Sequence, residues 1–211
     1  MIHAPFDEFL TNDRISAVFD APALVQAMLD MEAALAQAQA EQGLVPPAAA
    51  AVIAQVAQVE RLDLAALMQA GRRAGSLAIP LVKMFTAEVA KVDADAARHV
   101  HKGSTSQDVL DTAMVRQSRR GLDLILNELD DVLAVLRPLA QAHAGTPVLA
   151  RTLMQPATVT TAGYKFAQWL GSLQRARTAL ARQGHEALAV QLGGAVGTLS
   201  SMGMQGPAVR A

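Results

Sequence analysis

Between Ala21 and Gln42 the apolar side chains Leu24, Met28, Met31 and Leu35 return every three or four residues, the period of one helix face. Gly43 follows as a stop, and Pro46 and Pro47 stand where a second helix would begin, leading into a run rich in Ala, Val and Ile. A third helical stretch is predicted from about Asp63 to Arg73, and a fourth from Pro80 through LVKMFTAEVA. Beyond the His-Lys-Gly-Ser-Thr run, which reads as a loop, one apolar seam joins Leu122, Ile125, Leu126, Leu129, Val132, Leu133 and Leu136. It predicts one helix over residues 106–143, about 55 Å long at ~1.5 Å per residue, kinked near Pro138. AGTPVLARTLMQP reads as a second loop, and another long helix is predicted from 157 to 189, taken at the widest as 156–189. QLGGAVGTLSSMG forms a glycine-rich connection, and Pro207 looks like the start of one more helix. A helix start with only four residues behind it predicts a truncated chain. The expected fold is all-α, with an N-terminal helical domain over 1–105 and an incomplete long-helix bundle over 106–211. Helices of that length pack in bundles or between subunits.

Composition narrows the function classes. The chain has 211 residues, 52% of them hydrophobic, enough for a substantial core. Eighteen basic residues against 19 acidic ones leave no basic footprint for nucleic acid and no polybasic surface for lipid, and aromatics at 3% offer few stacking platforms. With no cysteine there is neither a disulfide framework nor a thiolate metal site. The start, MIHAPFDEFL, shows no secretory signal, and charged or polar residues interrupt every apolar run before it could span a bilayer. The expectation is a soluble, cytoplasmic protein with no metal and no cofactor.

Three polar segments break the apolar pattern: residues 101–108, 151–155 and 191–198. The first combines His101, Lys102, Gly103, Ser104, Thr105, Ser106 and Gln107 at the start of the long helix, where unpaired N–H groups and the helix dipole favour an anion. The second adds Arg151, whose guanidinium can fork onto a carboxylate, with Thr152 and Gln155 beside it. Together they point to a small polycarboxylate. Plainer readings stay open. Thr105 and Asp108 can simply cap a helix, Arg151 can be a surface residue, the glycines near 194 can be a turn, and His99, His143 and His185 can be ordinary helix residues.

At these same loops the chain resembles the fumarase/aspartase superfamily. HKGSTSQDVLDTA is similar to its first conserved region, RTLMQPATVTTAG to its second, and LGGAVGT to the glycine-rich stretch after the second long helix. Within the superfamily, AGSLAIPLVKMFTAEVA and the Ser-Gln-Asp followed by Asp-Thr resemble most the branch of 3-carboxy-cis,cis-muconate cycloisomerases. The resemblance implies a lactonising enzyme of aromatic-compound catabolism by the protocatechuate (β-ketoadipate) branch, a homotetramer whose sites draw loops from several subunits. It implies that His101 and Ser106 are catalytic, that Lys102, Gly103, Ser104, Thr105, Gln107, Arg151, Thr152 and Gln155 bind substrate, and that Ser76 is a further candidate. Adenylosuccinate lyases carry a Thr-His pair where Thr152-Leu153 stands, and a histidine near Ser76; both are missing here. The mobile third region, with its serine and Met-Pro-x-Lys-x-Asn-Pro run, has no match in these residues, so the 211-residue chain alone is expected to be inactive. Two other readings compete: another superfamily lyase, such as an adenylosuccinate-lyase-like enzyme releasing fumarate, and a non-catalytic helical oligomerisation fragment.

Overall fold

A computed structural model describes residues 10–211, and the reading of residues 1–9 as free of a signal lies outside them. The contacts form two compact units. One runs up to Ser118 and resumes from Leu188 to Ala211; the other is Arg119–Ala187. The boundary at Ser118 falls inside one continuous helix, residues 106–142.

The first unit begins with α1 (Asp13–Val18), whose first turn is held by Asn12 Oδ1 accepting from Arg14 N at 2.9 Å. Helix α2 (Ala21–Glu41) starts the same way, Asp20 Oδ1 accepting from Ala23 N at 2.8 Å. It ends at Gly43, whose φ of 72° lets Leu44 N reach back to Gln39 O at 2.8 Å and satisfy an orphan carbonyl. Helix α3 (Pro47–Val56) has its proline in the first turn. Helix α4 (Leu64–Ala74) is capped by Asp63, and α5 (Ala78–Val92) follows the Gly75–Leu77 connection. Of the predicted apolar face of α2, Met28, Met31 and Leu35 are buried and Leu24 is half-buried; Val25 and Leu29 are buried beside them, and this face packs with Ile53 and Val56 of α3 and Leu81, Phe85 and Val89 of α5. Each large side chain fully removed from water contributes about 1.5–3 kcal/mol. Val109 and Ala113 of helix α6 (Ser106–Ala142) close this core, together with Leu192, Leu199 and Met202 of the glycine-rich return. A short α8 (Gly206–Arg210), with Pro207 in its first turn, ends the unit.

The second unit holds the rest of α6, a β-hairpin and α7 (Ala162–Ala187). The long α6 agrees with the seam read from the sequence; the start of α7 does not. Residues expected as a loop and a helix start form β1 (Pro147–Thr152) and β2 (Gln155–Thr161), paired antiparallel with Leu149 opposite Val159 and Thr152 opposite Gln155. The cause is local. Thr158, Val159, Thr160 and Thr161 are four successive β-branched residues, which fit a pleated ribbon better than a helix. The fold is therefore all-α with one small ribbon. Leu153 and Met154 form the turn with φ of 46° and 65°, a conformation that costs non-glycine residues about 1–2 kcal/mol each.

At the foot of the hairpin α7 meets the end of α6 closely: a Cβ on Gly163 would lie 2.5 Å from Ala140 O. Farther along, Arg177 Nε and Nη2 donate to the two oxygens of Asp130 at 2.8 Å each, a bidentate fork that holds the Asp130 carboxyl below the usual aspartate range. Among the described residues no helix is long and apolar enough to cross a membrane.

Candidate functional site

The first loop is built by α2 from beneath. Glu32 and Gln39 lie two helical turns apart on the buried stripe of α2 and are each about 1% exposed. Gln39 Nε2 donates to Lys102 O at 2.6 Å, and Glu32 Oε1 lies 2.6 Å from His101 Nδ1. These bonds hold His101 at φ 58°, a left-handed conformation uncommon for a side-chain-bearing residue. The Lys102 ammonium donates to Leu44 O at 2.7 Å, so it braces the α2–α3 connection.

Asp108 ties this loop to the glycine-rich segment. Buried to 1%, it accepts from Thr105 N at 3.0 Å, the reciprocal half of a capping box, and from Gly193 N and Gly194 N at 2.9 Å each. The two segments touch at Gly194, which has φ 74° and where a Cβ would lie 3.1 Å from Gly103 O, so both the backbone conformation and the close contact favour glycine. Ser201 Oγ adds a donor to Gly103 O at 3.1 Å, and Thr112 Oγ1 donates to Gln191 O at 2.9 Å. The glycine-rich segment thus spends two of its N–H groups on Asp108. His101, Thr105 and Ser106 are partly exposed around the start of α6, and a helix N-terminus is a place that can accept an anion.

The remaining predicted residues fall as follows. Ser104 Oγ lies 3.4 Å from Asp108 Oδ2, and the exposed Gln107 donates to Asp111 at 2.6 Å. Ser76 Oγ accepts from Ala78 N at 3.2 Å, which places its hydroxyl just before α5. Arg151, Thr152 and Gln155 are exposed on the hairpin of the second unit. Thr152 and Gln155 are direct cross-strand partners and share one face of the ribbon, while Arg151, one residue earlier, points to the other. Among the histidines, His99 ends a 3₁₀ turn, His143 lies just past α6, and His185 is in α7.

Glu32 and Gln39 were not singled out in the sequence. Their signal was present: a carboxylate and an amide seven residues apart, interrupting the stripe of Val25, Met28, Leu29, Leu35 and Ala36. Charged residues are almost never fully buried unless paired.

A family model described as lyase matches residues 8–209. The chain is 44% identical over 197 residues to a 3-carboxy-cis,cis-muconate cycloisomerase of Bradyrhizobium diazoefficiens, covering 93% of this chain and 44% of that one. It is 48% identical over 185 residues to a nitrosuccinate lyase of Streptomyces davaonensis, covering 88% of this chain and 39% of the relative. The crystal structure of the 3-carboxy-cis,cis-muconate lactonizing enzyme from Pseudomonas putida superposes with a TM-score of 0.94 at 42% identity, over 98% of this chain and 47% of that one. The chain thus spans about half the length of the relatives it matches or less.

Proposed function

Since the chain belongs to the lyase family of the fumarase/aspartase superfamily, we propose that it supplies the first loop and hairpin of a 3-carboxy-cis,cis-muconate cycloisomerase. The observation that carries this reading is the 44% identity across 93% of the chain to an enzyme of that name. In the reaction one substrate carboxylate adds to a double bond, and a proton is delivered to the neighbouring carbon. The substrate carries three carboxylates, so the site must hold charge, align one oxygen over the alkene and place a proton donor.

In this proposal the first turn of α6 and the hydroxyls of Thr105 and Ser106 hold one carboxylate. His101 moves the proton. Arg151, Thr152 and Gln155, brought by a hairpin of another copy, take the others. The long helices assemble the copies, as a cytoplasmic homotetramer. The exposed apolar side chains Ile125, Val132, Val135 and Trp169 support that association. The 48% identity to a nitrosuccinate lyase supports a second reading, elimination from a substituted succinate at the same anion site.

The test replaces the matched segment of the Bradyrhizobium cycloisomerase with residues 10–211 of this chain. Loss of the muconate chromophore and formation of the lactone are followed, with nitrosuccinate as the competing substrate. The proposal expects lactonisation, lowered about 10²-fold or more in kcat/KM by Ser106→Ala, as loss of a charge-assisted bond and of positioning implies. A folded, assembled chimera that cleaves only nitrosuccinate would transfer the assignment to the second reading. Unchanged kcat/KM in S106A would reduce Ser106 to a capping residue.

A further inference from the structure

We propose that Glu32 is a positioning residue that fixes the His101 tautomer, placing hydrogen on Nδ1 and leaving Nε2 as the nitrogen that exchanges protons. The use of that nitrogen in catalysis rests on the reading of His101 as the proton-moving group; the tautomer itself does not.

The Glu32 side chain is 0% exposed, and its Oε1 meets His101 Nδ1 at 2.6 Å. Its other oxygen, Oε2, is buried with no hydrogen-bond partner. A carboxylate can only accept, and a buried acceptor stripped of its donor bears the full desolvation penalty. The Nδ1–H tautomer gives Glu32 its one hydrogen bond. The Nε2–H tautomer would place an imidazole lone pair against a carboxylate lone pair. Nδ1 therefore carries the hydrogen.

Nε2 is the other end of the ring. It has no protein partner among the described residues, is not one of the buried orphan atoms, and belongs to a side chain that keeps 21% of its surface exposed. The ring cannot turn over to exchange its nitrogens without breaking the Glu32 bond. The backbone is pinned as well: Gln39 Nε2 holds Lys102 O, and Ser201 Oγ holds Gly103 O. Two polar side chains on the apolar stripe of α2 thus hold one loop, Gln39 by its backbone and Glu32 by its ring. During lactonisation an imidazolium would release its Nε2 proton to the substrate carbon and become the neutral Nδ1–H imidazole. Atoms and charge balance, and the Glu32 bond survives the transfer.

The test is nitrogen-15 NMR on the 211-residue chain labelled at histidine, at a pH where the ring is neutral. His101 is assigned by the signals lost in His101→Asn. Wild type is expected to show a protonated, pyrrole-like Nδ1 and a bare, pyridine-like Nε2. Glu32→Gln keeps the shape but lets the amide accept or donate, so it gives a tautomer mixture. Glu32→Leu gives mainly Nε2–H, the form favoured by an imidazole without a partner. A wild-type ring protonated at Nε2, or variants that leave the wild-type pattern unchanged, would overturn the proposal. The lactonisation assay separates the two readings. If the tautomer switches as expected and His101→Asn leaves turnover intact, the role of His101 falls and that of Glu32 as the tautomer's determinant stands. If both readings hold, Glu32→Leu lowers kcat about 10²-fold or more with KM little changed, the size of a lost acid–base contribution, and Glu32→Gln recovers part of it.

Discussion

In the unit that carries the first loop, α2, α3 and α5 close around Ile53, Leu81 and Phe85, none more than 1% exposed. In the hairpin unit the helices share the same apolar period, yet Val135 and Trp169 remain 60% and 54% exposed. Only Leu133 and Leu136 of the predicted seam are buried there. The difference teaches that periodicity reports a face to be covered without saying what covers it. In the first unit the cover is the chain itself. In the second, the described residues leave Val135 and Trp169 uncovered, and the proposed association of copies would cover them.

The sharpest contrast comes from paired truncations. Phe85→Ala should cost about 3–5 kcal/mol in urea unfolding, the usual price of an aromatic cavity. Trp169→Ala should stay within about 0.5 kcal/mol for the unassociated chain while weakening self-association. Equal losses in the unassociated chain would erase the comparison.

Asp108→Asn probes the polar centre of the first unit. One oxygen becomes an NH₂ that faces backbone N–H donors, so about 1–3 kcal/mol should be lost. Amide exchange at Gly193 and Gly194 should accelerate, and unchanged protection there would show that the segment is held by packing instead. Gly163→Ala tests a close approach within the second unit. The added Cβ meets Ala140 O and the Ala144 backbone, and overpacking of that kind costs about 1–3 kcal/mol. Wild-type stability in G163A would mean that the helix ends separate freely.

The smallest effect belongs to Asp130. Its folded-state pKa is depressed by the Arg177 hydrogen bonds, so its stabilisation is complete above the usual aspartate range and is lost as pH falls through the depressed value. The pair is solvent-exposed, so Asp130→Asn should lower Tm slightly at neutral pH and low salt. The two proteins should converge in acid or in high salt; a difference that persists in acid would contradict the ion-pair account.

Much of the fold was legible because long helices repeat their period many times: the stripe of α2 and the seam from Leu122 to Leu136 both lie on helices. The hairpin was not, since its strands are six and seven residues long and the β-branched run abuts a helix. The first loop was legible through His101, Thr105 and Asp108, but only half of the role of Asp108 is local. Its bonds to Gly193 and Gly194 span 85 and 86 residues, a pairing that no window of sequence contains. Glu32 was hidden for another reason: reading a stripe for its apolar members passes over the carboxylate inside it.

The comparison is tested most directly by hydrogen–deuterium exchange of the chain at a dilute concentration and at one where it self-associates. Peptides from α2, α3 and α5 should show the same protection at both. Peptides covering residues 122–136 of α6 and 164–180 of α7 should gain protection with concentration. Equal protection of those helices at both concentrations, with the mass of a single chain throughout, would contradict the assignment of their apolar faces to other copies.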